Sequence, residues 1–297
     1  MNITFRNYIA EPHYGKDYLL LRKYLLETED INYPFGRWDW MISHSNLNRD
    51  GLSKIGLWFD SNEIVGVSTY DTKIDGKCFF VLRNGYEFLY QEMITYAENY
   101  LSKDGSVQLL INDSNHDFQE AASKRGYIAT RDKESYAVFD ITPESTQFSL
   151  PEGFSITSMK DTYDVYQYGR VMWKGFNHEL KGEGEYNPTP EELEILRNEF
   201  ERPNVNPEIK IAVVAPDGNF ASYCGMWQDN DTKNALVEPV ATDPAYRKMG
   251  LGRAAVLEAI RRCGSLGAKR AFVGSSQQFY YSIGFKPCIT STFWKKK

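Results

Sequence analysis

Apolar and polar residues follow the same succession twice along this chain. In the second half, IKIAVVA (209–215) and FASYCGMW (220–227) are apolar runs parted by Asp217-Gly218-Asn219, a turn signal that predicts a β-hairpin. ALVEPVAT (235–242) predicts a third strand. In the first half, GLWF (56–59), the turn Asp60-Ser61-Asn62 and EIVGVSTY (63–70) make a similar hairpin, and Asp75-Gly76 leads into a third strand at CFFVLR (78–83). Each third strand then passes through glycine into a helical pattern: Gly85 before YEFLYQEMITYAENYL (86–101), Gly250 and Gly252 before RAAVLEAIRRC (253–263). A short strand (VQLLIN; KRAFV), a second helix and a Gly-aromatic pair (Gly126-Tyr127; Gly284-Phe285) follow in both halves. The likeness is one of layout rather than letters, and it predicts duplication of one α/β unit.

The joint after the third strand of the second half holds the candidate chemistry. A period of two puts Leu236, Glu238, Val240 and Thr242 on one face of the strand. Pro239, with no N–H for a ladder, predicts a local opening of the sheet beside Glu238. Beyond the joint, Gly252, Ala255, Val256, Ala259, Ile260, Cys263 and Leu266 recur at helical spacing, with Arg253, Glu258, Arg261 and Arg262 on the opposite side. The helix starts near Gly250, where unpaired amides and the helix dipole favour an anion. Glycine at 250 and 252 leaves the backbone open to a ligand, and Arg247, Lys248 and Arg253 add positive charge.

Composition narrows the class. A chain of 297 residues with 42% hydrophobic and 25% charged residues is globular, and TPESTQFSLPEG (142–153) reads as a linker between domains at 1–145 and 146–297. A formal net charge of −6 and a pI near 5.4 argue against a nucleic-acid carrier. Cys78, Cys224, Cys263 and Cys288 form no CxxC pair, so neither a zinc site nor a disulfide framework is expected, and a reducing cytoplasm fits. No secretion signal or membrane span is expected.

RKMGLG (247–252) resembles the R/Q-x-x-G-x-G/A motif of the GNAT superfamily of acyl-CoA-dependent N-acyltransferases, and FYYSIGF (279–285) resembles its second signature, a tyrosine four residues before Gly-Phe. The resemblance runs from about Ala235 to Phe285 and extends through strand order to about Pro151. It implies an α/β (α+β) fold of two tandem GNAT-like domains, each a mixed, mainly antiparallel central sheet flanked by helices. It also implies a donor site for acetyl-CoA. Beside Arg247, the amides of Lys248, Met249, Gly250, Leu251, Gly252 and Arg253 would hold the pyrophosphate, and the main chain of Val240, Ala241 and Thr242 would pair with the pantetheine arm. Tyr280 matches the residue that protonates the departing thiolate. Glu238 lies where many members place a general base, and a structural carboxylate is the alternative. No metal is required.

The implied reaction is direct transfer of an acetyl group to a primary amine of a small molecule by a monomer or homodimer. A protein or peptide amine, or a non-catalytic CoA-binding sensor or partner-binding module, are the alternatives. His178, with Glu179, Glu183 and Glu185, belongs either to the acceptor wall or to an ordinary solvated loop. The first half departs from the motif: VLRNGYEF (81–88) has a single glycine, and Ala122 stands where the second half has Tyr280. A degenerate copy without a donor site is expected there.

Overall fold

The computed structural model describes residues 2–296. One succession of elements occurs twice. The first pass is β1 (Ile3–Asn7), α1 (Lys16–Thr28), α2 (Phe35–Ser43), β2 (Gly56–Asp60), β3 (Glu63–Thr69), β4 (Lys77–Leu82), α3 (Tyr90–Tyr100), β5 (Gln108–Asn112), α4 (His116–Lys124) and β6 (Tyr127–Asp140). The second is β7 (Ser155–Ser158), α5 (Val165–Gly175), α6 (Pro190–Phe200), β8 (Lys210–Val214), β9 (Phe220–Gln228), β10 (Asn234–Thr242), α7 (Leu251–Ser265), β11 (Arg270–Val273), α8 (Gln278–Ser282) and β12 (Lys286–Lys296). The hairpins and third strands fall where the apolar runs predict them. Tight turns make β2–β3–β4 and β8–β9–β10 antiparallel. The helical crossovers α3 and α7 return the chain parallel, as β5 on β4 and β11 on β10.

The chain forms two compact units: Met1–Tyr136 with Gly274–Ser276 and Pro287–Lys297, and Ala137–Val273 with Gln277–Lys286. In the first, the strand beside β5 is β12, the last of the chain, in register Ile111↔Thr292. In the second, the strand beside β11 is the end of β6, in register Ala271↔Phe139. The units therefore depart from a linear division at 145/146. A strand edge is completed by whichever strand brings a matching apolar face, and Phe293 and Phe139 bring it, 4% and 2% exposed.

The first unit buries an aromatic core that includes Trp38, Trp58, Tyr33 and Phe79. The second packs α7 on one face of its sheet, with Val237, Cys224 and Met226, and α5 on the other, with Tyr223 and Phe220. The helix α7 is buried nearly all round. Glu258, expected on the solvent side, is 7% exposed and bonded to Arg261 and Arg262, because the guanidiniums neutralise a carboxylate that packing has covered. Among the described residues no helix is long and apolar enough to cross a membrane.

Truncating Phe293 to alanine near the chain's end tests the role of β12. The expected loss is about 3–5 kcal/mol, read by chemical denaturation in the transition that includes the first unit's aromatic core. A loss below about 1 kcal/mol would show that β12 is peripheral.

Candidate active site

In the second unit β10 and β11 pair over Asn234↔Arg270, Ala235↔Ala271 and Leu236↔Phe272, after which β10 continues beside β9 as far as Thr242↔Ser222. The parting coincides with a bulge. Register against β9 steps from Val237↔Met226 to Val240↔Cys224, so Glu238 and Pro239 stand opposite Gly225. A Cβ on Gly225 would lie 2.6 Å from the Glu238 carbonyl oxygen and 3.0 Å from Pro239 Cδ, so glycine is required by space. The Glu238–Pro239 peptide is cis, and Trp227 Nε1 donates to the Glu238 carbonyl at 3.0 Å. The extra residue resets the alternation. Val237, Val240 and Thr242 share one face, opposite Met226, Cys224 and Ser222, whereas Leu236 and Ala241 share the other. The expectation that Leu236, Glu238, Val240 and Thr242 lie on one face is corrected accordingly.

The joint forms an amide-lined start to α7. Lys248 and Gly250 take left-handed backbone conformations, φ 64° and 80°, and the helix's first hydrogen bond runs from Ala254 N to the Gly250 carbonyl at 3.0 Å. Among the described residues, no group accepts from the amides of residues 248–253. Such a row of donors at the positive end of a helix dipole suits a phosphate. A side chain at Gly250 would meet nothing, so its glycine answers to φ. At Gly252 an added Cβ would lie 3.0 Å from Thr242 Oγ1 and 3.4 Å from the Phe279 ring. This glycine lets α7 pack closely against Thr242 and Phe279.

Arg247 is engaged by the chain itself. Its Nη2 donates to the Gly175 carbonyl and to Asn177 Oδ1, both at 2.8 Å, and its Nε to the Thr242 carbonyl at 3.2 Å. Its side chain thus clamps the end of α5 to the joint. Gly175 permits the approach, since a Cβ there would lie 2.7 Å from Ala241 Cβ. A second tie joins Arg170 of α5 to Asp243 at 3.2 Å, and Asp243 also accepts from Ala245 N at 2.9 Å. Lys248 and Met249 are exposed, and Arg253 reaches the Gln147 carbonyl at 3.3 Å. Leu251 is buried, anchoring the helix start.

Tyr280 on α8 is 8% exposed and meets Phe279 and Phe285 edge-on. Gly284, φ 114°, completes the turn, and a Cβ there would lie 2.9 Å from the Phe139 ring. Burial, then Cys224 and Glu238, hold the Tyr280 phenol well above its ordinary value. The Glu238 charge is also felt at Tyr168 on α5, which burial, Glu199 and Glu238 push upward. The fold thus gathers Glu238 and Tyr280 in one electrostatic neighbourhood and adds Tyr168 and Glu199. Sequence reasoning missed both, because nothing local marks which face of α5 and α6 turns toward the sheet. His178 stacks on Trp173 (centroids 4.3 Å apart) with Nδ1 2.8 Å from Glu183, and Lys174 bonds Glu179 at 2.8 Å.

The first unit repeats the parting of strands but not the cradle. Its β4 and β5 pair at Lys77↔Gln108 and Cys78↔Leu109. At the joint, Gly85 N donates to Glu87 Oε1 at 2.8 Å, and the Arg83 and Tyr86 amides donate to the Val65 and Arg83 carbonyls. A carboxylate of the chain stands on an amide where the second unit offers open donors. Ala122 is fully buried, with no phenol in the place of Tyr280.

The model of the acetyltransferase (GNAT) family matches residues 173–285. The chain is 30% identical over 88 residues to a protein of Bacillus subtilis (strain 168) named as an alanine N-acetyltransferase of a ribosomal protein; the match takes in 28% of this chain. The chain spans 57% of the length of that curated relative. Two solved structures share the fold over nearly the whole chain. A tandem GNAT protein from the clavulanic acid biosynthesis pathway has a TM-score of 0.60 at 11% identity, covering 99% of this chain and 98% of that one. A GCN5-related N-acetyltransferase from Sphaerobacter thermophilus has a TM-score of 0.58 at 13% identity, covering 99% and 95%.

Gly225→Ala is expected to cost about 1–3 kcal/mol, because its methyl group meets backbone that cannot turn aside. Urea denaturation of the variant measures the cost, and an unchanged midpoint would remove Gly225 from the account of the bulge.

Proposed function

We propose that the chain is an acetyltransferase of the GNAT family, whose model matches residues 173–285, and that it transfers an acetyl group from acetyl-CoA to a primary amine of a small molecule, in the cytoplasm. The observation that carries this reading is β10 leading, past its last pairing with β11, directly into the unbonded amides of residues 248–253, in the unit that also buries Tyr280. These features fit the donor. The amides and Lys248 suit its pyrophosphate, and the edge at Val240, Ala241 and Thr242 suits an amide-bearing arm that pairs as an added strand. When bound, the donor supplies a thioester carbon open to attack by an amine.

The chain's own groups then divide the proton traffic. Glu238, directly or through one water, takes a proton from the acceptor ammonium, leaving the neutral amine that can attack. Tyr280 keeps its proton across the neutral range, because its shift is upward, and so faces the departing sulfur as a donor. A second reading, with a protein N-terminal amine as acceptor, is favoured by the match to the Bacillus subtilis protein. Comparing acetylation of an amine panel with that of alanine-initiated peptides separates the two.

Calorimetric titration is expected to find one acetyl-CoA per chain, with binding lost in a folded Gly250→Glu variant. Two bound molecules would mean that the first unit also holds the donor. Tyr280→Phe is expected to lower kcat about 10²-fold while changing KM for acetyl-CoA little. Unchanged turnover would remove Tyr280 from the chemistry. Because the folded phenol titrates above its ordinary value, the wild-type rate should show no alkaline loss attributable to Tyr280 below about pH 10.

A further inference from the structure

The parting of β4 and β5 in the first unit opens a cavity of about 700 Å³, a size suited to a small ligand. It lies at the place in the fold that β10 and β11 occupy in the second unit, yet its charge is reversed. Four carboxylates line it, from Glu29, Asp30, Glu87 and Asp117, together with His116, and its lining contains no lysine or arginine. In the second unit the matching joint carries Arg247, Lys248 and Arg253.

We propose that this cavity binds a small aliphatic di- or triamine, at a site separate from the donor notch of the second unit. The carboxylates come from separate elements: Glu29 and Asp30 follow α1, Glu87 precedes α3, and Asp117 lies in the first turn of α4. Among the described residues no three His, Cys, Asp or Glu side chains group closely enough to hold a metal ion. Dispersed negative charge of this kind matches an extended cation with charges several bonds apart better than a compact ion. One wall is aromatic, with Tyr90 stacked on Phe118 at 4.3 Å and 3° between planes, and Asn115 Nδ2 fixes the Tyr90 hydroxyl at 2.8 Å. Such a wall packs against methylene groups and attracts an ammonium.

Asp30 is set for the task. Its Oδ1 accepts from the Asn32 and Tyr33 amides at 2.7 and 3.1 Å, while Oδ2 accepts from no group among the described residues. Burial raises its carboxyl above the ordinary value against the pull of those amides, and a bound ammonium would favour the charged form. An anionic ligand such as a CoA phosphate would meet carboxylates from three segments of the chain, in a lining that contains no lysine or arginine.

The test titrates spermidine calorimetrically into the full chain, the wild type against Glu87→Gln with Asp117→Asn, and against Asp30→Asn, with circular dichroism to check folding. The expected result is one spermidine bound per chain, weakened at least about tenfold in the double variant and in Asp30→Asn, with acetyl-CoA binding by each variant unchanged. The double variant keeps the test open if Asp30→Asn disturbs the turn that Asp30 caps. Absence of spermidine binding to the wild type would overturn the proposal. So would binding of equal strength in folded variants, which would place the amine elsewhere on the chain, including the acceptor site of the second unit.

Discussion

The second unit's site depends on a steric constraint between neighbouring strands, where two residues of β10, Glu238 and Pro239, stand opposite Gly225 of β9. The space left by a missing side chain admits the Glu238 carbonyl and the proline ring. The bulge they form turns β10 out of the path of β11 after the two have paired over three residues. From that point β10 no longer pairs with β11, and a strand edge without a neighbouring strand is a template for an extended, amide-bearing ligand. The same irregularity sets Glu238 where its charge reaches Tyr280 and Tyr168.

A free edge is useful only if the loop beyond it is held in place. Two bonds from Arg247, to Gly175 and Asn177, and the ion pair of Arg170 with Asp243 tie the end of α5 to the joint. The Arg170–Asp243 pair is largely buried, at 17% and 3% side-chain exposure. Buried pairs of this kind contribute little net stability, because desolvation offsets attraction, but they penalise any arrangement that separates the charges. Their effect here is on position: they hold the loop whose left-handed residues, Lys248 and Gly250, lead into α7.

The parting of parallel strands recurs in both units with the repeated layout, whereas the chemistry of the joint is set by a few side chains. With Glu87 bonded to the Gly85 amide and no lysine or arginine in the lining, the first unit has the notch without the cationic joint of the second. The exchange of last strands, β12 into the first unit and the end of β6 into the second, ensures that neither unit is complete in its own stretch of sequence.

The sequence by itself determined the local geometry: hairpins at Asp217-Gly218 and Asp60-Ser61-Asn62, and a strand-to-helix joint with glycine at 250. These are legible because turn chemistry and periodicity act over a few residues. It also carried the resemblance to the GNAT family, since RKMGLG and FYYSIGF are short and contiguous. Pro239 announced an opening in the sheet, but only tertiary structure decided its register, because the residue that makes room for it, Gly225, lies on another strand. The same holds for Gly252 and Gly175, whose need for glycine comes from Thr242, Phe279 and Ala241, and for Arg247, drawn to carbonyls far away in sequence. The strand exchange, the Tyr168–Glu199 neighbourhood and the reversed charge of the first notch likewise depend on which distant segments meet, and a one-dimensional pattern of apolar and polar residues does not encode that.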